Sequence, residues 1–152
     1  MAKTDFDTPM IFGALCDRGP AVPRGMEKMI RVKIPEAILL PFHVEERHLK
    51  NVVRCMQLMD VMGLIVMGRH RRQMTRHLRS LDASAKIVKM VDVIIRKGRG
   101  FRGYSAEHLA RLKWAKEGNK TGAKNRHPSI RVIDGLTRQI SVELLTGAAL
   151  SK

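Results

Sequence analysis

Short apolar runs bounded by glycine or proline alternate along this chain with stretches whose apolar residues recur every three or four positions. The first pattern is that of buried strands, and the second that of helices with one face on a core. On this reading Pro9–Leu15 (PMIFGAL) is a strand, and Ala37–Phe42 (AILLPF) is another, stopped by Pro41. Leu64–Met67, Val91–Ile95 and Gly100–Tyr104 follow as three more, the last two joined through Lys97-Gly98 as an antiparallel hairpin at an edge. A helix starts near Pro23, turns Met26, Met29 and Ile30 inward, and ends before Pro35.

Glu45–Val61 carries the longest apolar stripe, Leu49, Val52, Val53, Met56, Met59 and Met62, and Gly63 is expected to cap its C-terminus. Glu45 and Glu46 stand in its first turn, where the helix dipole favours acids. A basic helix is expected from about His70 to Leu81, and Ala85 and Val88 continue that helical spacing. Ser105 is an N-cap for a helix over Ala106–Ala115. The polar segment 117–129 (EGNKTGAKNRHPS) reads as a loop, and a last helix runs from about Gly135 to Leu145, with Leu136, Ile140, Val142 and Leu144 facing inward. Strands alternating with helices at this spacing imply one three-layer α/β domain over residues 1–152, with a mixed, mainly parallel sheet and helices on both faces.

Composition narrows the setting. Only 4% of the 152 residues are aromatic, so the core is aliphatic, with ten methionines filling gaps. Cys16 and Cys55 match no metal spacing and are too few for a disulfide framework; both are expected in the core of a protein from a reducing, cytoplasmic compartment. The N-terminal MAKTDFDTPM lacks the layout of a signal peptide, and no run of eighteen apolar residues exists, so no membrane role is expected. A net charge of +15 suits an anionic partner, whether a nucleic acid, an anionic surface or a small ligand.

The order of motifs adds a resemblance. LLPFHVEERHLKNVVRCMQLMDVMGLIVMGRHR resembles the substrate-binding domain of shikimate dehydrogenases, which typically reads YvPFdV, a helix, then G-x-x-V-T-x-P-H-K. LDASAKIVKMVDVIIRKGRGFRGYSAE is similar to the family's LdxxAxxiGAVNTvvxxxGxlxGyNTD, and VIDGLTRQISVELLTG to the helix by which its chain returns to this domain. The likeness covers 10–104 and 132–147; in the family an NADP-binding Rossmann domain lies between, whereas here 105–131 supply one helix and a linker. No strand followed by G-x-G-x-x-G occurs, so the resemblance implies no cofactor in this chain, with NADP only through a separate Rossmann-domain partner.

Residue by residue, the resemblance puts Arg71 at the family's catalytic lysine and Glu107 at its catalytic aspartate. It puts Met67 at the substrate-binding threonine and Asp92 at the asparagine of V-N-T, and makes His70, Tyr104 and Gln139 further substrate contacts. The paired serines fall near Pro20 and Val22, so both hydroxyls are gone. Arginine as a residue type stays charged throughout the working pH range, so Arg71 can orient an anion but is a poor proton relay. The expectation is a binding domain for a small anionic carboxylate or polyol like shikimate or dehydroshikimate, without independent NADP-dependent turnover, acting alone, as a homodimer or with a nucleotide-binding partner. Any activity would be of the shikimate dehydrogenase type and need that partner.

The cluster RHRRQMTRHLR supports an alternative. Arg69, Arg72, Arg76 and Arg79, with Lys113, Lys116, Lys120, Lys124 and Arg126, could track a nucleic-acid backbone, although no helix-turn-helix, zinc finger or aromatic stacking motif accompanies them. A regulatory pseudoenzyme on the same scaffold is the third reading.

Overall fold

A computed structural model describes residues 9–18, 22–120 and 127–151. Its strands are β1 (Met10–Cys16), β2 (Ala37–His43), β3 (Val61–Val66), β4 (Ser80–Leu81), β5 (Val93–Lys97) and β6 (Gly100–Tyr104). They form one sheet in the order β2-β1-β3-β5-β6-β4. β1 pairs in parallel with β2 and β3, and β4 with β6, while β5 runs antiparallel to both its neighbours. The sheet is therefore mixed and mainly parallel, as the alternating pattern implies.

Helices cover both faces: α1 (Met26–Lys33), α2 (Val52–Leu58), α3 (His70–Gln73), α4 (Ala83–Val88), α5 (Ala106–Lys120) and α6 (Ile130–Leu150). Successive strand residues point to opposite faces, and the two cores follow from that alternation. Val93 and Ile95 join Phe12, Met26, Ile30 and Leu145 under α1 and α6. Ile94 joins Leu49, Met56, Leu64, Met74 and Phe101 under α2, α3 and α4. No described helix is long and apolar enough to cross a membrane.

Several elements differ from the sequence expectation. The stripe from Glu45 splits into a 3-10 segment (Glu46–Asn51) and α2, and the chain reverses at Asp60, whose φ of 53° is left-handed. Met59 is left exposed and Met62 enters the opposite core, so one apparent stripe serves two elements. Gly63 is not a helix cap but lies inside β3. The β1–β3 register shifts between Ile11 and Phe12, which pair with Val61 and Gly63, so Met62 is the extra residue of a bulge.

The expected basic helix over His70–Leu81 is one turn of α3, a 3-10 turn at Met74–Arg76, and then β4, which covers β6 and displaces it from the sheet edge. Asp82 caps α4 by accepting from the Ser84 amide at 3.0 Å. Cys16 is buried as expected, but Cys55 is exposed because it lies on the outer side of α2. α5 runs on through Lys120 into the polar segment, and Ser129 at the end of that segment caps an α6 that begins earlier than expected. Residues 121–126 of the segment, and Pro20, lie outside the described residues.

Gly63 tests the packing between sheet and α6. A Cβ there would sit 2.5 Å from Leu145 Cδ2 and 2.9 Å from the Ile94 carbonyl oxygen, whereas one at Gly100 meets open space. Gly63→Ala is expected to lower unfolding free energy by about 1–3 kcal/mol. Gly100→Ala is expected to leave it unchanged or raise it by up to about 1 kcal/mol. Urea denaturation of the two variants checks the contrast.

Candidate functional site

Helix α5 begins beside the sheet, and each of its first free amides has a partner. The four leading N–H groups of a helix have no acceptor within it. Here the Ser105 amide donates to Ser84 Oγ at 3.0 Å, and the His108 amide to Ser105 Oγ at 3.2 Å, which makes Ser105 the expected cap. Between them, the Ala106 amide donates to Asp92 Oδ1 at 2.6 Å and the Glu107 amide to Asp92 Oδ2 at 3.0 Å. Asp92 stands just before β5 and is itself held in the sheet: its amide donates to the Tyr104 carbonyl, and its carbonyl accepts from the Val66 amide. Burial pushes its carboxyl above the ordinary aspartate range, while the two helix amides and the Arg71 charge pull the other way.

With α5 fixed there, Glu107 faces Arg71. β3 leads through Met67 into Gly68, whose φ of 62° makes the turn into α3, and Arg71 follows. Arg71 Nη1 donates to Glu107 Oε2 at 3.3 Å and Nε to the Gly68 carbonyl at 3.2 Å, and its own carbonyl accepts from the Val91 amide. Glu107 Oε1 also accepts from Arg111 at 3.1 Å. Both members of the Arg71–Glu107 pair keep about a third of their side chains exposed, so the pair contributes little to stability and remains open to a ligand.

These groups line one cleft of 430 Å3 at the carboxyl end of β3. Met67, Arg71, Asp92 and Glu107 form one wall; Pro23 and Met26 close a second side, and Asp134, Thr137, Arg138 and Ser141 of α6 the third. Clefts at the carboxyl ends of strands are where open α/β sheets take ligands. The Thr137 and Ser141 hydroxyls each donate to a carbonyl one turn back, at 2.7 Å, which leaves their oxygens as acceptors. Arg138 reaches the Arg24 carbonyl at 3.0 Å and ties α6 to the segment before α1.

Three expected contacts lie elsewhere. His70 is fully buried, with Nε2 donating to the Val44 carbonyl at 2.6 Å; although it is the residue before Arg71, it does not line the cleft. Tyr104 lines a separate depression with Met62, Ile95 and Arg96, and Arg102 lies 5.8 Å from its ring centroid. Gln139 is exposed on the far side of α6. The α6 residues that do line the cleft, 134, 137, 138 and 141, follow i, i+3, i+4, i+7 spacing, and a polar stripe at that period was the signal that could have found them.

The raised Asp92 carboxyl fixes the sign of a pH effect. The folded protein holds that proton to higher pH than the unfolded chain, so Asp92's contribution to stability is complete below the unfolded value of about 3.9 and is lost as pH rises through the folded one. Urea denaturation from acid to neutral pH is expected to show the native protein losing stability relative to Asp92→Asn across that window. A difference independent of pH, or one of opposite slope, contradicts the assignment.

No protein-family model and no curated protein matches the chain. Solved structures do. A shikimate 5-dehydrogenase-like protein is 12% identical over 97% of this chain and 61% of its own, with a TM-score of 0.65. The chorismate mutase/shikimate 5-dehydrogenase fusion protein of Clostridium acetobutylicum is 15% identical over 87% and 52%, with a TM-score of 0.64. Shikimate 5-dehydrogenase from Listeria monocytogenes, solved with shikimate and NAD, is 18% identical over 78% and 42%, with a TM-score of 0.60. The chain thus spans 42 to 61% of the length of these three proteins and has the fold found in that part of the shikimate dehydrogenase structures.

Proposed function

We propose that this protein is a divergent shikimate-dehydrogenase-like binding domain that takes a small polyhydroxylated carboxylate in the cleft at Arg71. The observation that carries the reading is the convergence of Arg71, Asp92 and Glu107, from three separate elements, on one concavity that also holds the Thr137 and Ser141 hydroxyls. A guanidinium offers a planar fork to a carboxylate. Glu107 and the two hydroxyl oxygens accept from ring hydroxyls, and Met67 and Met26 offer apolar contact to a carbon ring. Asp92, with both oxygens on backbone amides, positions Glu107 and is a weaker ligand acceptor than its neighbours.

The same groups are ill suited to turning the ligand over. A guanidinium is a poor general acid or base. The glycine-rich turn that carries a dinucleotide pyrophosphate does not occur in this sequence, which favours ligand binding without a hydride step by these residues alone. The protein acts as a ligand-binding pseudoenzyme, or with a nucleotide-binding partner supplied separately.

Calorimetry with shikimate, dehydroshikimate and quinate tests this. At least one is expected to bind, and Arg71→Ala to weaken it about tenfold or more, the cost of one charge-assisted hydrogen bond. Binding unchanged in Arg71→Ala, or none by the native protein, contradicts the site. NADPH-dependent reduction of dehydroshikimate by the purified chain contradicts the claim about the cofactor.

A further inference from the structure

A further concavity, behind α3, gathers cations without acids. Arg72, Thr75 and Arg76 on one side, and Lys86, Val88 and Lys89 on the other, enclose a groove of 580 Å3 floored by Leu81 and Ala85. Among the described residues none of its four cations is within ion-pair distance of a carboxylate, although Arg31, Arg47, Arg71, Arg96, Arg102 and Arg111 all are. Arg69 and Arg79 are exposed on the same segment and extend the charge beyond the groove. Like charges drawn around one depression repel, and the fold has no internal use for them. Lys89, moreover, has a φ of 54°, a left-handed conformation that glycine adopts at less cost.

We propose that this groove holds a nucleic-acid strand through its phosphates. The cations come from two elements on opposite walls, which suits an extended polyanion better than one compact phosphate. The apolar floor lies at the bottom of a depression, where a flexible strand can rest its sugars and bases and a flat bilayer does not reach. The net charge of +15 attracts a polyanion at long range and repels basic partners. Thr75 Oγ1 is engaged with the Arg72 carbonyl at 2.7 Å and no aromatic residue lines the groove, so recognition is independent of sequence. Lys124 and Arg126, which the sequence also suggests for such a surface, lie outside the described residues.

Fluorescence anisotropy with a labelled single-stranded thymidine oligonucleotide of about twenty nucleotides tests the groove. Each phosphate neutralised on a single strand steepens log K against log salt by about 0.7, so four contacts predict a slope of about −3. Combined Arg72→Ala, Arg76→Ala, Lys86→Ala and Lys89→Ala is expected to weaken binding about tenfold or more and to flatten that slope. The bulk-preserving pair Lys86→Gln and Lys89→Gln is expected to give an intermediate loss. A control that removes four exposed cations elsewhere (Lys28, Lys33, Lys50 and Arg54, each to Ala) is expected to stay within about threefold of the native protein. Equal loss in groove and control variants, no binding of the oligonucleotide at low salt, or groove-dependent binding to anionic phospholipid vesicles in its place overturns the proposal.

Discussion

The carboxyl group of Asp92 joins the sheet to the helix that walls the cleft. Its two oxygens take the amides of Ala106 and Glu107, while its own peptide is bonded on both sides to neighbouring strand ends. An acid at a helix N-terminus gains from the exposed amides and from the helix dipole together. That gain lets a charged residue type sit buried beside Val91 and Val93. Remove the bond and the start of α5 loses two of its anchors to the sheet, including the one at the Glu107 amide itself, and keeps only the Ser84 and Ser105 bonds and its buried alanines.

The cleft depends on this junction more than on the ion pair that marks it. Arg71 and Glu107 are partly exposed and are held in place by their backbones: Arg71 through the Gly68 turn and the Val91 amide, Glu107 through Asp92. Such a pair can exchange partners with a ligand at little cost. A rigid frame around a loosely paired charge is what a binding site needs, since the order is already present before the ligand arrives. The basic groove behind α3 lies outside that frame. Arg71 and Arg72 are adjacent on one short helix yet serve separate concavities.

Much of the frame was legible in the sequence because its strands are nearly pure apolar runs. Central strands covered on both faces force that pattern, and β1, β2, β3 and β5 were located within a few residues by it. The junction between α2 and β3 was not, because Met59 and Met62 satisfy helical spacing as readily as they satisfy a turn and a bulge. β4 has only two residues and carries no periodicity to read. Of the residues that motif order brought together, Met67, Arg71, Asp92 and Glu107 line the cleft, whereas His70 and Gln139 lie off it because neighbours on a helix point in different directions. The α6 contribution was missed since Asp134, Thr137, Arg138 and Ser141 look like an ordinary solvated face until α1 is seen across from them.

The most direct test is an NMR pH titration read at the Ala106 and Glu107 amide protons. Both should move together along one curve, that of the Asp92 carboxyl, with a midpoint above the ordinary aspartate range, and lose that response in Asp92→Asn. Amides insensitive to pH, or a midpoint typical of an exposed aspartate, would mean that Asp92 does not hold the helix and that the cleft is built in some other way.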